Sequence, residues 1–278
     1  AGVYGVDPNH LLLENNGQGQ FEDVSKRNAF DLKNAGMVTD ALWVDINTDG
    51  NIDLITVSDW GSPKIFQSNG KQLILQSSEL DELTGWWNTI ESVDIDKDGD
   101  LDFILGNWGL NSKFKASNEY PLRVYTSDFD GNGQTEPIVA VFKENAYYPL
   151  SSTDDLSTQM VSLRKSFSSY NEFAGKSMLE IFSQEQLDAA SLYEAEFLGS
   201  GFLRNENGIS NQEFVPFESE LQTSPISSSL KIKNSSGEHS LLLGGNYLGV
   251  KPYHGKYDTF SGASTRSSFE AGVDHMFS

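Results

Sequence analysis

Three short acidic segments, each followed by a run of apolar residues, constrain this chain more than any other feature. Each segment has Asp or Asn at its first, third and fifth positions, Gly at its sixth and an acidic residue at its ninth. The segments span residues 45–53, 94–102 and 128–136, and β-branched, aromatic or other apolar residues follow each one. The sequence is therefore built on a repeated unit in which an acidic loop leads into a β-strand.

The residue types in these loops are those of a calcium site. Calcium prefers about six to eight oxygen ligands, which the first, third, fifth and ninth side chains and the seventh carbonyl group can provide. We predict up to three structural calcium sites, with the ligands Asp45, Asn47, Asp49, Asn51 and Asp53 in the first loop, Asp94, Asp96, Asp98, Asp100 and Asp102 in the second, and Asp128, Asp130, Asn132, Gln134 and Glu136 in the third.

Two other interpretations of the loops are weaker. An EF-hand needs Glu at position twelve, where these loops have Thr56, Leu105 and Val139, and it needs a helix where strand-forming residues follow. Acidic turns without an ion are the second alternative. Converging carboxylates about 4 Å apart repel by roughly 4 kcal/mol at an effective dielectric of about 20, so three such loops favour a bound cation.

A second recurring unit indicates the architecture. An apolar strand, a turn with Asn and Gly, and another strand recur near residues 11–21, 65–75 and 202–214. Combined with the acidic loops, this gives four antiparallel strands in roughly 40–50 residues, which is typical of a propeller blade. We predict an all-β fold, a β-propeller of about five four-stranded antiparallel blades that occupies residues 1–278 as a single domain.

The predicted blades are unequal. We place a partial blade at 9–25, full units near 38–77 and 87–127, a fourth blade split between 122–150 and 196–217, and a fifth near 226–270. The fifth lacks the aspartate pattern and carries Lys231 and Lys233, so we expect no metal there. Its strands either pair with the hairpin at 10–25 and close the ring, or further blades lie upstream.

Residues 153–190 interrupt the β pattern. Apolar residues recur at a helical period, namely Leu156, Met160, Leu163, Phe167, Tyr170 and Ala174. The pairs Ser169 with Glu172 and Ser183 with Gln186 have the spacing of a capping box, which marks helix starts. We predict a helical insertion within a blade, which either covers one end of the sheets or binds a partner.

Composition limits the classes of function. The 40 acidic and 19 basic residues give a net charge of −21, which disfavours nucleic acid and anionic membrane surfaces as partners. The absence of cysteine excludes disulfides, thiolate catalysis and cysteine-ligated zinc, and it favours a bacterial source for an exported domain of this size. The chain begins at Ala1 without a recognisable signal peptide, as either a mature exported protein or a cytosolic fragment would.

The loops and the strands behind them resemble the FG-GAP/VCBS repeat family, whose members include integrin α-subunit propellers and bacterial surface proteins. The segments 36–41, 85–88, 106–111 and 244–247 resemble a bacterial subgroup often found with ASPIC/UnbV modules. The literal Phe-Gly and Gly-Ala-Pro motif is absent, as is usual in the VCBS-like branch. The resemblance implies a seven-bladed ring in many members, so this chain is either a fragment of such a ring or a smaller one. It also implies adhesion, ligand binding or an accessory role.

We therefore expect a non-enzymatic, calcium-binding interaction module of an extracellular or cell-surface bacterial protein, with a protein or glycan as ligand. The alternative is a calcium-assisted enzyme, such as a polysaccharide lyase or a phosphoesterase, on the same scaffold. The four histidines, His10, His239, His254 and His275, are far apart in sequence, and no nucleophile and base can be paired.

Two further features leave their role open. Trp60, Trp86, Trp87 and Trp108 lie next to the predicted loop strands and either pack between blades or stack on sugar rings. The basic and aromatic segment 251–257 either holds an anionic or carbohydrate ligand or is an ordinary surface loop.

Overall fold

A computed structural model describes residues 4–6, 8–206, 208, 212–233, 239–247, 249, 257–259, 263–266 and 274–275. The chain divides into two compact units. The smaller unit comprises Ala1–Asp7 and Phe114–Phe197, and the larger unit comprises Pro8–Lys113 and Leu198–Ser278. The smaller unit therefore interrupts the sequence of the larger one.

β-strands are the main regular secondary structure of the described residues. The strands are β1 (Leu13–Asn15), β2 (Phe21–Asp23), β3 (Met37–Val44), β4 (Asp53–Gly61), β5 (Lys64–Ser68), β6 (Leu73–Gln76), β7 (Gly85–Trp86), β8 (Thr89–Val93), β9 (Asp102–Gly106), β10 (Leu122–Ser127), β11 (Glu136–Lys143), β12 (Ala146–Pro149), β13 (Ser191–Ala195), β14 (Gly201–Asn205), β15 (Gln212–Pro216), β16 (Ser228–Lys233), β17 (His239–Gly244), β18 (Ala263–Arg266) and β19 (Asp274–His275).

The helices are short. They are α1 (Ser25–Asn28), α2 (Thr153–Gln159), α3 (Leu163–Ser166), α4 (Tyr170–Phe173), α5 (Met178–Ile181) and α6 (Gln184–Ala189), with 3₁₀ helices at Phe30–Asn34, Glu79–Glu82 and Ser219–Gln222. In the described part of the chain, no helix is long and apolar enough to cross a membrane.

The larger unit contains three antiparallel sheets of similar design. Sheet I has the strand order β3-β4-β5-β6, with β7 paired to the far end of β4. Sheet II has the order β8-β9-β14-β15, and sheet III has the order β16-β17-β18-β19. In each sheet the strands follow one another in chain order, and β8 lies against both β3 and β16. The first strands of the three sheets are therefore neighbours.

Sheet II corrects the predicted division of the chain. We expected strands 202–214 to complete a blade that begins at 122–150, and this is wrong, because β14 pairs with β9 at Gly201–Leu105, Phe202–Ile104 and Leu203–Phe103. The chain leaves sheet II after its second strand, forms the smaller unit and returns to add the third and fourth strands. The sequence pattern does not show this, because it identifies loops and turns but not which distant strands pair.

Apolar residues between sheets II and III form a continuous core. Its buried members are Val93, Ile95, Ile104, Phe202, Phe217, Leu221, Ile226, Leu241 and Leu243. Sheets I and II are also joined by polar contacts, since the Asp40 carboxylate accepts hydrogen bonds from Thr89 Oγ1 (2.9 Å) and from the Ile90 N–H (3.0 Å). The other face of sheet I is covered by residues around α1 and the first 3₁₀ helix, including Ala29, Leu32 and Ala35.

The smaller unit has a different topology. In sheet IV the order is β12-β11-β10-β13, so the fourth strand returns through the helical segment to pair beside the first. This order is that of a Greek key rather than a meander. Helices α2 to α6 lie between β12 and β13, and the core of the unit includes Ile138, Leu156, Met160, Phe173 and Met178.

The helical segment is broken into five pieces instead of one long helix. The backbone turns extended at Met160 and Phe167, which ends α2 and α3. The predicted helix starts at Ser169 and Ser183 are confirmed, because their side chains accept hydrogen bonds from the N–H groups of Glu172 and Gln186. Tyr170, which the period placed on the apolar face, is instead 63% exposed.

The hairpin near residues 10–25 does not complete the last sheet. In the described residues, β1 pairs with β2 alone and sheet III is formed from β16 to β19. The predicted pairing of this hairpin with the strands of the fifth blade is therefore not found among the described residues.

Candidate metal-binding loops

The three acidic loops have the same backbone conformation. They connect β3 to β4, β8 to β9 and β10 to β11. In every loop the fourth and sixth residues have positive φ, and these are Thr48 (54°), Gly50 (87°), Lys97 (66°), Gly99 (101°), Gly131 (73°) and Gly133 (82°). Glycine adopts this region of φ without steric cost, which explains why each loop has a glycine at its sixth position.

Two contacts recur and hold each loop in shape. The second residue, Ile46, Ile95 or Phe129, is buried and anchors the loop in the apolar core. The fifth side chain accepts a hydrogen bond from the seventh N–H, at 2.8 Å for Asp49, 2.9 Å for Asp98 and 2.7 Å for Asn132. The loops are therefore structurally equivalent despite their different sequences.

The ninth residue is the most buried acid of each loop. Asp53, Asp102 and Glu136 are 0%, 1% and 2% exposed. In each loop one oxygen of this carboxylate accepts a hydrogen bond from the N–H of the second residue, at 3.2, 2.8 and 2.9 Å. Because this residue also begins the following strand, its carboxylate fixes where the loop ends.

In the larger unit the ninth carboxylate also binds the third strand of its sheet. Asp53 Oδ1 accepts from the Ser68 N–H at the end of β5 (2.7 Å), and Asp102 Oδ1 accepts from the Asn205 N–H at the end of β14 (2.9 Å). Ser68 and Asn205 therefore occupy equivalent places. Their equivalence supports the assignment of β14 as the third strand of sheet II.

Asn205 connects the first two loops. Its side-chain amide donates to the carbonyl of Ile46 in the first loop (3.1 Å) and to the carbonyl of Leu101 in the second (3.2 Å). The residue is 1% exposed. Sequence analysis missed this role for Asn205 and Ser68, although each stands shortly before a turn with Asn and Gly, which was the available signal.

In the second and third loops, carboxylates converge. Oxygen atoms of Asp94, Asp96 and Asp102 lie within 4.8 Å of one another, as do those of Asp128, Asp130 and Glu136. Asp94 Oδ1 and Asp130 Oδ1 are buried, and neither has a hydrogen-bond partner in the described part of the chain. A buried, unpaired carboxylate oxygen is costly, and a cation removes that cost.

The first loop is arranged differently. Its third residue is Asn47, an amide in place of a carboxylate, whose Oδ1 accepts from the Asp49 N–H (3.1 Å). The contact itself is shared with the second loop, where Asp96 Oδ1 accepts from the Asp98 N–H (3.3 Å). Asp45 is also occupied, since its two oxygens accept from the N–H groups of Asp49 (3.1 Å) and Gly50 (2.9 Å). Asp128 of the third loop makes the same two contacts, with Asn132 and Gly133. Among the described residues, Asp94 of the second loop does not receive this pair of hydrogen bonds. The carboxylates of the second loop therefore receive the fewest hydrogen bonds from their own loop.

Burial raises the pKa of all three ninth-position acids. Desolvation is the main cause for Asp53, Asp102 and Glu136, and repulsion from the neighbouring loop carboxylates adds to it, whereas backbone hydrogen bonds lower each pKa. Asp49 differs, because the hydrogen bond from Asn51 lowers its pKa. The atoms that could bind a metal ion in all three loops are oxygens, the type of ligand that hard cations such as Ca²⁺ prefer.

The predicted ligands are therefore brought together to different degrees. In the second and third loops, three carboxylates lie close together. The first loop has the same positive-φ positions, but its carboxylate oxygens do not form such a cluster. Asn51, Asp100 and Gln134 occupy the seventh position, where the main-chain carbonyl and not the side chain is the predicted ligand.

The tryptophans pack against one another. Trp86 stacks on Trp108 with ring centroids 4.2 Å apart, and Trp60 lies 4.7 Å from Trp86. Trp60 and Trp108 are buried, and Trp87 is 0% exposed, which favours packing over sugar stacking. Residues 251–256 of the basic aromatic segment lie outside the described residues, as does His254.

Comparison with models of protein families finds a repeat in this chain. A family model described as an FG-GAP-like repeat matches residues 45–105, which include the first two acidic loops, strands β4 to β8 and all but the last residue of β9. No curated protein matches the chain.

We predict that Asn205→Ala destabilises the larger unit by about 2–3 kcal/mol, because two buried carbonyl groups lose their donor. Urea unfolding followed by tryptophan fluorescence measures this, since all five tryptophans, Trp43, Trp60, Trp86, Trp87 and Trp108, are in the larger unit. The control is Asn34→Ala at an exposed position, which we expect to change stability by less than about 0.5 kcal/mol. Equal effects of the two substitutions would contradict the bridging role.

We predict that metal-depleted protein becomes more stable as the pH falls from neutrality towards the ordinary carboxyl pKa values. An acid with a raised pKa binds its proton more tightly in the folded than in the unfolded protein, so folding is favoured as the pH drops towards the folded pKa. This window lies above the ordinary values of 3.8 for Asp and 4.5 for Glu. The measurement is the melting temperature against pH, with Asp102→Asn expected to reduce the slope. A melting temperature that falls over this range would refute the prediction.

Proposed function

We propose, from the FG-GAP-like repeat at residues 45–105, that this chain is a calcium-binding interaction module of the β-propeller type. The observation that carries the proposal is the repetition of one loop geometry at three places, with three converging carboxylates, one of them buried, in each of two loops. A shared geometry that is electrostatically unfavourable without a cation indicates that the loops are built to hold one.

The larger unit supports the propeller part of the proposal. Sheets I, II and III each contain four strands in meander order, as propeller blades do, and sheet I has β7 in addition. The first strands of the three sheets are neighbours. In a propeller the first strands surround the central axis, so this contact is the one that the architecture requires. The number of blades in the full ring is left open by this proposal.

The loop residues would hold the ion through oxygen atoms. In the second loop these are the side chains of Asp94, Asp96, Asp98 and Asp102 and the carbonyl of Asp100, and the equivalent positions serve in the other loops. When bound, calcium supplies positive charge that offsets the repulsion among these carboxylates. Asp102 then links the loop to the third strand through Asn205, so the ion would stiffen the sheet as a whole.

The proposed setting is the exterior or surface of a bacterial cell, where calcium is abundant enough to occupy sites of modest affinity. The proposed role is non-catalytic, and the proposed partner is a protein or a glycan that binds a surface kept rigid by the sites. The acidic charge of −21 disfavours nucleic acid.

We predict that Asp94→Asn has opposite effects with and without calcium. In metal-depleted protein it removes a carboxylate that repels its loop neighbours and whose Oδ1 is buried without a hydrogen-bond partner in the described residues, so the melting temperature rises. With calcium it removes a ligand, so the stabilisation by the ion falls. A site with a dissociation constant of about 10 μM gives about 2.7 kcal/mol of stabilisation at about 1 mM calcium. Differential scanning calorimetry and calcium titration calorimetry measure the two effects.

The matched control for this experiment is Asp100→Asn in the same loop. It changes a side chain but keeps the main-chain carbonyl that is the predicted ligand, so calcium binding should change little. The calcium proposal fails if titration of the wild type gives no heat and a chelator leaves the melting temperature unchanged.

We predict that partner binding depends on calcium. A glycan array and a pull-down of proteins, each performed in calcium and in chelator, should give hits that are lost when the ion is removed. The Asp94→Asn variant should lose affinity for the same hits in calcium, whereas Asp100→Asn should keep it. Turnover of a polysaccharide or phosphoester by the pure protein would instead support the enzyme alternative.

A further inference from the structure

The smaller unit contains a cavity that the acidic loops do not explain. It has a volume of about 510 Å³ and lies between strands of sheet IV and helices α5 and α6. All its lining residues belong to the smaller unit, none of them is in the third acidic loop, and none lies in the segment 45–105 that matches the FG-GAP-like repeat. A cavity of this size is large enough for a small organic molecule.

The floor of the cavity carries one arginine held in a fixed position. Arg123 stacks on the Tyr147 ring with 4.0 Å from its guanidinium carbon to the ring centroid. Its Nε donates to Glu194 (2.7 Å) and its Nη1 donates to the hydroxyl of Tyr125 (3.4 Å). Nη2 has no hydrogen-bond partner in the described residues, so its two hydrogens are available to donate to a ligand. The guanidinium is thus oriented by its neighbours and has donors to spare.

The walls of the cavity combine apolar and polar side chains, with the apolar surface in modest excess. Phe142 and Tyr147 contribute aromatic rings, while Met178, Leu187 and Leu192 contribute aliphatic surface. Tyr147 is itself fixed, because its hydroxyl donates to the carbonyl of Pro121 (3.1 Å) and its ring packs edge-on against Phe142. A few fixed polar groups within an apolar wall are the usual composition of a ligand site.

The charges in and around the cavity argue against an anion as the ligand. Arg123 is the one cation among the lining residues, and Glu194 already neutralises it. Asp188 at the rim adds a negative charge, and its oxygen accepts a hydrogen bond from Gln184 (2.7 Å). The whole chain is also strongly acidic. The cavity therefore offers hydrogen-bond donors without a net positive field.

We propose that this cavity binds a small uncharged molecule with an aromatic or branched apolar body and a carbonyl or hydroxyl oxygen that accepts a hydrogen bond from Arg123 Nη2. The apolar body would occupy the space among Phe142, Met178, Leu187 and Leu192. The proposal is independent of calcium binding by the acidic loops.

The test uses two probes of nearly the same shape, 4′-fluoroacetophenone and 4-fluorobenzoate, which differ in the replacement of a methyl group by a charged oxygen. Fluorine NMR of each probe with the full chain measures its dissociation constant. We expect saturable millimolar binding of the ketone and at least tenfold weaker binding of the carboxylate. Equal binding, preference for the carboxylate, or no binding of the ketone overturns the proposal.

Two substitutions test the role of the ion pair. Glu194→Gln removes the charge that neutralises Arg123, so we expect the carboxylate probe to bind at least as well as the ketone. Arg123→Met keeps an apolar side chain over Tyr147 but removes the donors, so both probes should lose about tenfold or more. A Glu194→Gln variant with unchanged probe preference would show that Arg123 does not contact the ligand.

A third pair of variants separates cavity binding from loss of folding. Ala190 lines the cavity, whereas Ala189 beside it is exposed and does not. Ala190→Leu should abolish binding of the ketone, and Ala189→Leu should leave it within twofold of the wild type. Circular dichroism should show that both variants are folded. If Ala190→Leu unfolds, Leu192→Trp, at an exposed position of β13 that also lines the cavity, replaces it as the substitution that fills the cavity. Retained binding in a folded, filled variant overturns the proposal.

Discussion

The buried carboxylate at the ninth position of each acidic loop is the contact on which the rest of the arrangement depends. It lies at the first residue of a strand, accepts the N–H of the second loop residue, and in the larger unit also accepts an N–H from the third strand. One side chain thus fixes the loop, the start of its own strand and the end of another. Because burial makes the ionised form of this acid unfavourable, the same contact makes the loop sensitive to whatever supplies positive charge.

The second loop illustrates how this contact couples neighbouring sheets. Asn205 donates its main-chain N–H to Asp102, and its side chain reaches the carbonyl groups of Ile46 and Leu101. A charge placed among Asp94, Asp96 and Asp102 would therefore act on sheet I as well as sheet II. The family match covers the first two loops together, which agrees with their being one connected structure. The third loop belongs to the smaller unit, and among the described residues the hydrogen bonds to Glu136 come from its own loop, from the Phe129 N–H and the Asn132 amide.

The sequence predicted the local structure better than the strand pairing, for a physical reason. A loop such as 94–102 is specified by residues close together in the chain, so its acidic pattern, its glycine turn and its following strand could be read from the sequence. The positive φ of Lys97 and the burial of Ile95 were not predicted. The partner of β9 is β14, which lies far away in sequence, and apolar alternation does not encode which distant strand pairs with which. The cavity around Arg123 was missed for the same reason, since its walls come from strands and helices that the chain brings together only on folding.

The topology of sheet IV explains how a whole folded unit can be inserted in the chain between two strands of sheet II that pair directly with each other. The smaller unit begins its sheet at Leu122 and ends it at Ala195, and these two residues are cross-strand partners. A meander of four strands would place its first and last strands at opposite edges, about 14 Å apart at the usual strand spacing of about 4.8 Å. The Greek-key order instead brings both ends of the insert to the same place, which suits strands β9 and β14 that must still pair directly. A flexible insert of the same length would add about 3 kcal/mol of loop-closure entropy relative to the short β4–β5 connection. Because the insert folds around its own core, much of that entropic cost is avoided. The Greek-key order of sheet IV therefore allows sheet II to keep its own meander order despite the insertion.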